Sequence, residues 1–155
     1  MARAGYILIK GEAGDEMAAI VPREILVTET VGSDAPSLHV VVVEDVPILR
    51  EALAECLETQ GFTVARAANG VEAMLQIRRL RPATVVLDLL LPRQDGFETL
   101  REIRAFDASI RVVIVTGASD AAIHTQVRAL GATAVLRKPI MPETLIAAVR
   151  GQGSA

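Results

Sequence analysis

The sequence predicts an α/β domain built on a doubly wound sheet of five parallel strands in the order 2-1-3-4-5, with helices on both faces. Three observations lead there. From about residue 38 onward, apolar runs of four or five residues alternate five times with segments of helical period, which is the pattern of βα units. Several runs are apolar at consecutive positions, as strands covered on both faces must be. Crossovers between parallel strands are right-handed, which puts helices on both faces and places a site at the carboxyl ends of the strands, beside the switch point.

The first strand is His39 to Val43, a β-branched run. From Pro47 the period changes: Leu49, Leu53, Cys56 and Leu57 share one helical face while Glu51, Glu55 and Glu58 point away, and Gly61 closes the helix. Thr63 to Ala67 reads as the second strand, followed by a helix capped by Asn69 and carrying Val71, Met74, Leu75 and Ile77. Thr84 to Leu87 is the third strand, and its helix follows Gly96 with Phe97, Leu100 and Ile103 inward. Arg111 to Val115 and Ala134 to Arg137 supply strands four and five, with helices from about Ala121 to Leu130 and Pro142 to Val149.

The 155 residues allow one ordinary domain, and with 51% hydrophobic but only 3% aromatic residues its core must be aliphatic. A formal charge of −3 argues against direct nucleic-acid binding. The single Cys56 cannot form an internal disulfide, and nothing suggests a cysteine-based metal site. No apolar stretch is long enough for a bilayer and residues 1–20 lack a signal-peptide centre, so a cytoplasmic protein without membrane contact is expected. Residues 1–37 stand outside the βα pattern. Gly5 to Lys10 and Glu24 to Val31 are strand-like and Gly32 to Ser37 is linker-like, so this part reads as an appended or poorly ordered extension. The domain runs from 38 to 151, with a tail at 152–155.

The strand ends carry the chemistry. Strand one runs into Glu44-Asp45, strand three into Asp88, strand four into Thr116 and strand five into Lys138-Pro139. Taken singly, Glu44 and Asp45 read as helix-capping carboxylates, and Thr116 as a hydroxyl that satisfies a backbone group. Asp88 is harder to explain that way. It interrupts Val85-Val86-Leu87 and Leu89-Leu90-Leu91, where an ionised group costs several kcal/mol unless paired or liganded. Pro139 restricts Lys138 to extended geometry and makes a cis bond available. Three carboxylates on one rim repel one another and would be relieved by a hard divalent cation, for which Mg²⁺ is suited. With a lysine and a threonine beside them, they form the equipment for phosphoryl transfer onto an aspartate. His39, His124 and Cys56 are read as ordinary structural residues, and Arg78, Arg79 and Arg81 as a solvated face at a helix carboxyl end.

At these positions the sequence resembles the receiver domain of two-component response regulators. The stretches VVVVEDVPILREAL, VVLDLLLPRQDGFETLREIR, VVIVTGASD and GATAVLRKP match that family in order and spacing over about 38–151. The resemblance implies that Asp88 is the phospho-acceptor, that Asp45 binds Mg²⁺ directly and Glu44 through water, and that the Leu90 carbonyl adds a ligand. Thr116 and Lys138 would contact the phosphoryl group. The implied partners are a histidine kinase or histidine phosphotransfer protein and a downstream protein target; homodimer formation is left open. Only four residues follow Gly151, so a stand-alone receiver is expected. The sequence departs from the family at Val135, where an aromatic switch residue is usual. Leu90 and Ala118, neither of which can hold a hydrolytic water, imply a long-lived phosphorylated form.

Two other classes compete. A phosphorylation-independent adaptor would keep the fold, with Val135 as its motive. An Asp-nucleophile phosphatase would commonly place a second aspartate two residues after the nucleophile, where this chain has Leu90. A dinucleotide-binding enzyme would need a glycine-rich first turn, whereas this chain reads EDVPIL. An enzyme acting on other substrates is therefore disfavoured.

Overall fold

The computed structural model describes residues 7–10, 16–19, 39–91, 96–117 and 120–151. The strand-like piece at 24–31, the linker at 32–37, Ala118 and the tail lie outside the described residues. The chain divides into two compact units, Met1–Pro36 and Ser37–Ala155.

In the first unit, β1 (Ile7–Lys10) pairs antiparallel with β2 (Glu16–Ala19), Ile7 opposite Ala19 and Lys10 opposite Glu16. Strand β1 falls within the expected Gly5 to Lys10 piece. Strand β2 was not expected, because Glu-Met-Ala-Ala contains no β-branched or aromatic residue to signal it.

The second unit holds β3 (His39–Val43), α1 (Pro47–Glu58), β4 (Thr63–Ala67), α2 (Gly70–Leu80), β5 (Thr84–Asp88), α3 (Gly96–Phe106), β6 (Arg111–Thr116), α4 (Ala121–Ala129), β7 (Ala134–Arg137) and α5 (Pro142–Arg150). Its sheet order is β4-β3-β5-β6-β7, and every pairing is parallel. Counted within this unit, that is the expected 2-1-3-4-5.

Alternation along the strands separates two cores. Val41, Val43, Val85, Leu87, Val112 and Ile114 face Met74, Ile77, Leu100, Ile103 and Val127 of α2, α3 and α4. Val40, Val42, Val86, Val113 and Val115 face Leu53 and Leu57 of α1 and Leu145 and Val149 of α5. Each of these buried aliphatic side chains contributes about 1.5–3 kcal/mol relative to exposure. With both faces covered, the central strands are left to meet a ligand at their ends, and the polar residues stand at the carboxyl ends.

Local signals set the helix limits. Asn69 Oδ1 accepts from the Glu72 N–H at 2.9 Å, and Glu72 Oε2 accepts from the Ala68 N–H at 2.7 Å, so the two side chains satisfy opposite sides of the α2 start. Gly61, with φ of 91°, turns the chain after α1. Within α2 the inward face is Gly70, Ala73, Met74 and Ile77, while Val71 and Leu75 are exposed. The apolar pattern alone does not distinguish Val71 and Leu75 from Met74 and Ile77. Arg81, placed by sequence on a solvated face, sets its guanidinium 5.8 Å from the Phe106 ring centroid.

Candidate functional site

Parallel register brings the polar strand ends onto one rim. Val43 lies beside Leu87, Asp88 beside Val115, and Thr116 beside Arg137. Glu44 follows the end of β3, Asp88 and Thr116 end β5 and β6, and Lys138 follows β7.

Glu44 and Asp88 are buried, and Asp45 is half-buried. One carboxylate oxygen from each of the three lies within 4.8 Å of the others. Lys138 Nζ donates to Glu44 Oε2 at 3.2 Å and to Asp88 Oδ2 at 3.3 Å. The remaining oxygens are held by backbone: Glu44 Oε1 accepts from Val46 N–H at 3.3 Å, and Asp88 Oδ1 from Leu90 N–H at 3.1 Å. Thr116 is buried, and its carbonyl accepts from Lys138 N–H at 2.8 Å, which fixes the start of the lysine's peptide against β6. The Lys138–Pro139 peptide is cis.

One ammonium faces three carboxylates, so negative charge is in excess. Burial first, and then the charge of Asp88, push Glu44 up to about 7, against the opposing pull of Lys138. For Lys138, burial works against the charged form, but attraction to Asp88 and Glu44 outweighs it and the ammonium holds its proton more tightly than usual. Clustered oxygen donors with residual negative charge fit a hard divalent cation such as Mg²⁺. The arrangement can hold a cation and present Asp88 to an electrophile at the rim.

The five polar residues expected at the strand ends thus come together, and Leu90 joins them through its N–H while its side chain is exposed. His39 stands at the opposite, amino end of β3, and Cys56 lies in α1, where it lines a cavity shared with Lys138 and Pro139. Two residues at the site had no such role in the sequence reading. Gly96 packs so closely beneath Asp88 that an added Cβ would stand 2.6 Å from Leu89 Cα and 2.7 Å from the Asp88 carbonyl oxygen. Arg50 Nη1 donates to the Glu44 carbonyl at 3.0 Å.

A family model described as the response regulator receiver domain matches residues 40–150. The chain belongs to that family. Similar curated proteins include the DNA-binding response regulator MtrA of Mycolicibacterium smegmatis, 34% identical over 119 residues that make up 77% of this chain and 52% of that protein. Response regulator MprA of Mycobacterium ulcerans is 34% identical over 114 residues, 74% of this chain and 49% of that protein. The receiver chain thus spans about half the length of the curated relatives it matches.

Among solved structures, chemotaxis protein CheY4 of Vibrio cholerae superimposes with a TM-score of 0.71 at 27% identity, covering 76% of this chain and 98% of that one. A Burkholderia pseudomallei response regulator with a phosphorylated aspartic acid, calcium ion and citrate gives a TM-score of 0.68 at 26% identity, covering 72% and 65%. In this receiver Val135 pairs with Ile114 in the sheet and packs, half-buried, against the core under α2, α3 and α4. No helix among the described residues is long and apolar enough to cross a membrane.

Proposed function

We propose that Asp88 accepts a phosphoryl group from a phosphohistidine of a histidine kinase or histidine phosphotransfer protein. The transfer is supported by Mg²⁺ at Asp88, Asp45, the Leu90 carbonyl and, through water, Glu44. The carrying observation is a buried aspartate at a central strand end, paired with an ammonium and clustered with two further carboxylates. The similar Burkholderia structure that contains a phosphorylated aspartic acid supports the same reading.

In the proposed step a carboxylate oxygen of Asp88 bonds to phosphorus as the phosphorus–nitrogen bond breaks, and the imidazole leaves with the electron pair. A carboxylate nucleophile needs no general base. Mg²⁺, when bound, offsets the charge of the carboxylates and of the phosphoryl oxygens. Lys138, already beside Asp88, and the Thr116 hydroxyl supply the protein's own partners for the equatorial oxygens. The chain then acts as a phospho-acceptor rather than as an enzyme on other substrates. We extend the proposal to a receiver acting in the cytoplasm, whose phosphorylated surface is read by a downstream protein target. Leu90 offers no polar side-chain atom to an in-line water, so the acyl phosphate is long-lived. Leu90→Asn should shorten its decay by up to about tenfold.

The test is incubation with a small phospho-donor and Mg²⁺ followed by intact mass. Wild type should gain one phosphoryl group and Asp88→Asn none. A gain in Asp88→Asn would overturn the acceptor assignment, and no gain in wild type would favour the adaptor reading.

A further inference from the structure

Glu44 and Asp45 occupy the short turn between β3 and α1, and this turn is held from several directions. The Glu44 N–H donates to the Ala67 carbonyl of the neighbouring strand at 3.0 Å. Arg50 brackets the rest: its own N–H donates to the Val46 carbonyl at 2.8 Å, and its Nη1 donates to the Glu44 carbonyl at 3.0 Å. Asp45 lies between those two carbonyls in the chain.

Arg50 is out of place by helix rules. It ends the first turn of α1, where the macrodipole disfavours a cation, and that turn carries no acidic side chain to offset it. A half-buried guanidinium at such a position is accounted for by what it holds, the backbone of the turn that presents two of the clustered carboxylates.

We infer that Arg50 is a positioning residue for the divalent-cation site, fixing the turn that presents Glu44 and Asp45 without touching the ion. The inference rests on the proposed reading of the carboxylate cluster as an Mg²⁺ site. Its sign separates it from a pure charge effect. A guanidinium near a cation site repels the cation, so if charge alone mattered, removing Arg50 would tighten Mg²⁺ binding. If Arg50 acts through geometry, removing it weakens binding, and groups that orient ligands in this way are worth about 10–100-fold in metal affinity.

The test is Mg²⁺ titration calorimetry on the full chain as wild type, Arg50→Met and Arg50→Lys, with amide hydrogen exchange measured in chelator. Methionine keeps much of the apolar stem but has neither charge nor donor, and lysine keeps both. Arg50→Met should bind Mg²⁺ about tenfold more weakly, with Arg50→Lys recovering most of the loss. Exchange in Arg50→Met should speed up at Asp45 and Val46 while the amides of β5 and β6 keep their protection. Unchanged or tighter binding in Arg50→Met, with wild type binding normally, overturns the role of Arg50 alone. So does weaker binding accompanied by loss of protection throughout the sheet. Wild type that fails to bind Mg²⁺ overturns the site and the role of Arg50 together.

Discussion

The ammonium of Lys138 stands 3.3 Å from Asp88 Oδ2, a contact that joins residues 50 apart in sequence and ties the edge strand to the centre of the sheet. The same nitrogen reaches Glu44 Oε2 at 3.2 Å, so a single cation is shared by two buried carboxylates. Removing one partner of a fully buried pair costs about 3–5 kcal/mol. The Lys138 side chain is 28% exposed, so solvent reduces that figure. Lys138→Ala should therefore lose about 1–2 kcal/mol of stability in urea unfolding with chelator present. Some phosphorylation should remain, because the nucleophile is untouched.

Mg²⁺ should stabilise the wild-type fold by relieving repulsion among Glu44, Asp45 and Asp88. At ten times the dissociation constant, mass action gives about 1.4 kcal/mol. Thermal unfolding with and without Mg²⁺ measures it, and Asp45→Asn should lose most of the increase in midpoint.

In the metal-free protein, Glu44 makes stability depend on pH. Its pKa is about 7 in the folded state against a reference value of 4.5. Between those values the folded state binds more protons than the unfolded one, so the contribution is fully present below about 4.5 and is lost as pH rises through about 7. Unfolding in chelator across this range should show stability falling as pH rises, and Glu44→Gln should flatten the fall.

Gly96 seats the start of α3 against the end of β5, and its N–H donates to the Leu89 carbonyl at 3.1 Å. An added methyl would meet backbone atoms at 2.6 Å, which cannot move aside as a flexible side chain can. Gly96→Ala should cost about 1–3 kcal/mol in denaturant unfolding, and it should slow phosphorylation of Asp88 by shifting that strand end.

Much of this was legible in the sequence, for identifiable reasons. Val40 to Val43 and Val85 to Leu87 announce buried parallel strands, and Asp88 is conspicuous because an acid follows directly on such a run. Thr116 and Lys138 are legible because each closes or follows an apolar strand run. What stayed hidden depends on distances that no periodicity encodes. The reach of Arg50 back to the Glu44 carbonyl and the approach of Gly96 to Asp88 are of this kind. Arg50 left a trace, a cation where the helix dipole disfavours one, and Gly96 left only its position at a helix start. Val71 and Leu75 misled because the apolar arc of α2 is wider than the strip of that helix buried against the sheet, and the four residues of β2 favour no strand.

The central claim is that the phosphoryl group is carried on the side chain of Asp88. Its most direct test is borohydride reduction of the phosphorylated protein, which converts an aspartyl phosphate to homoserine, followed by peptide fragmentation. Homoserine at position 88 alone is the expected result. Homoserine at Asp45 or another acidic residue, or none in protein that has gained the mass of a phosphoryl group, would contradict the account.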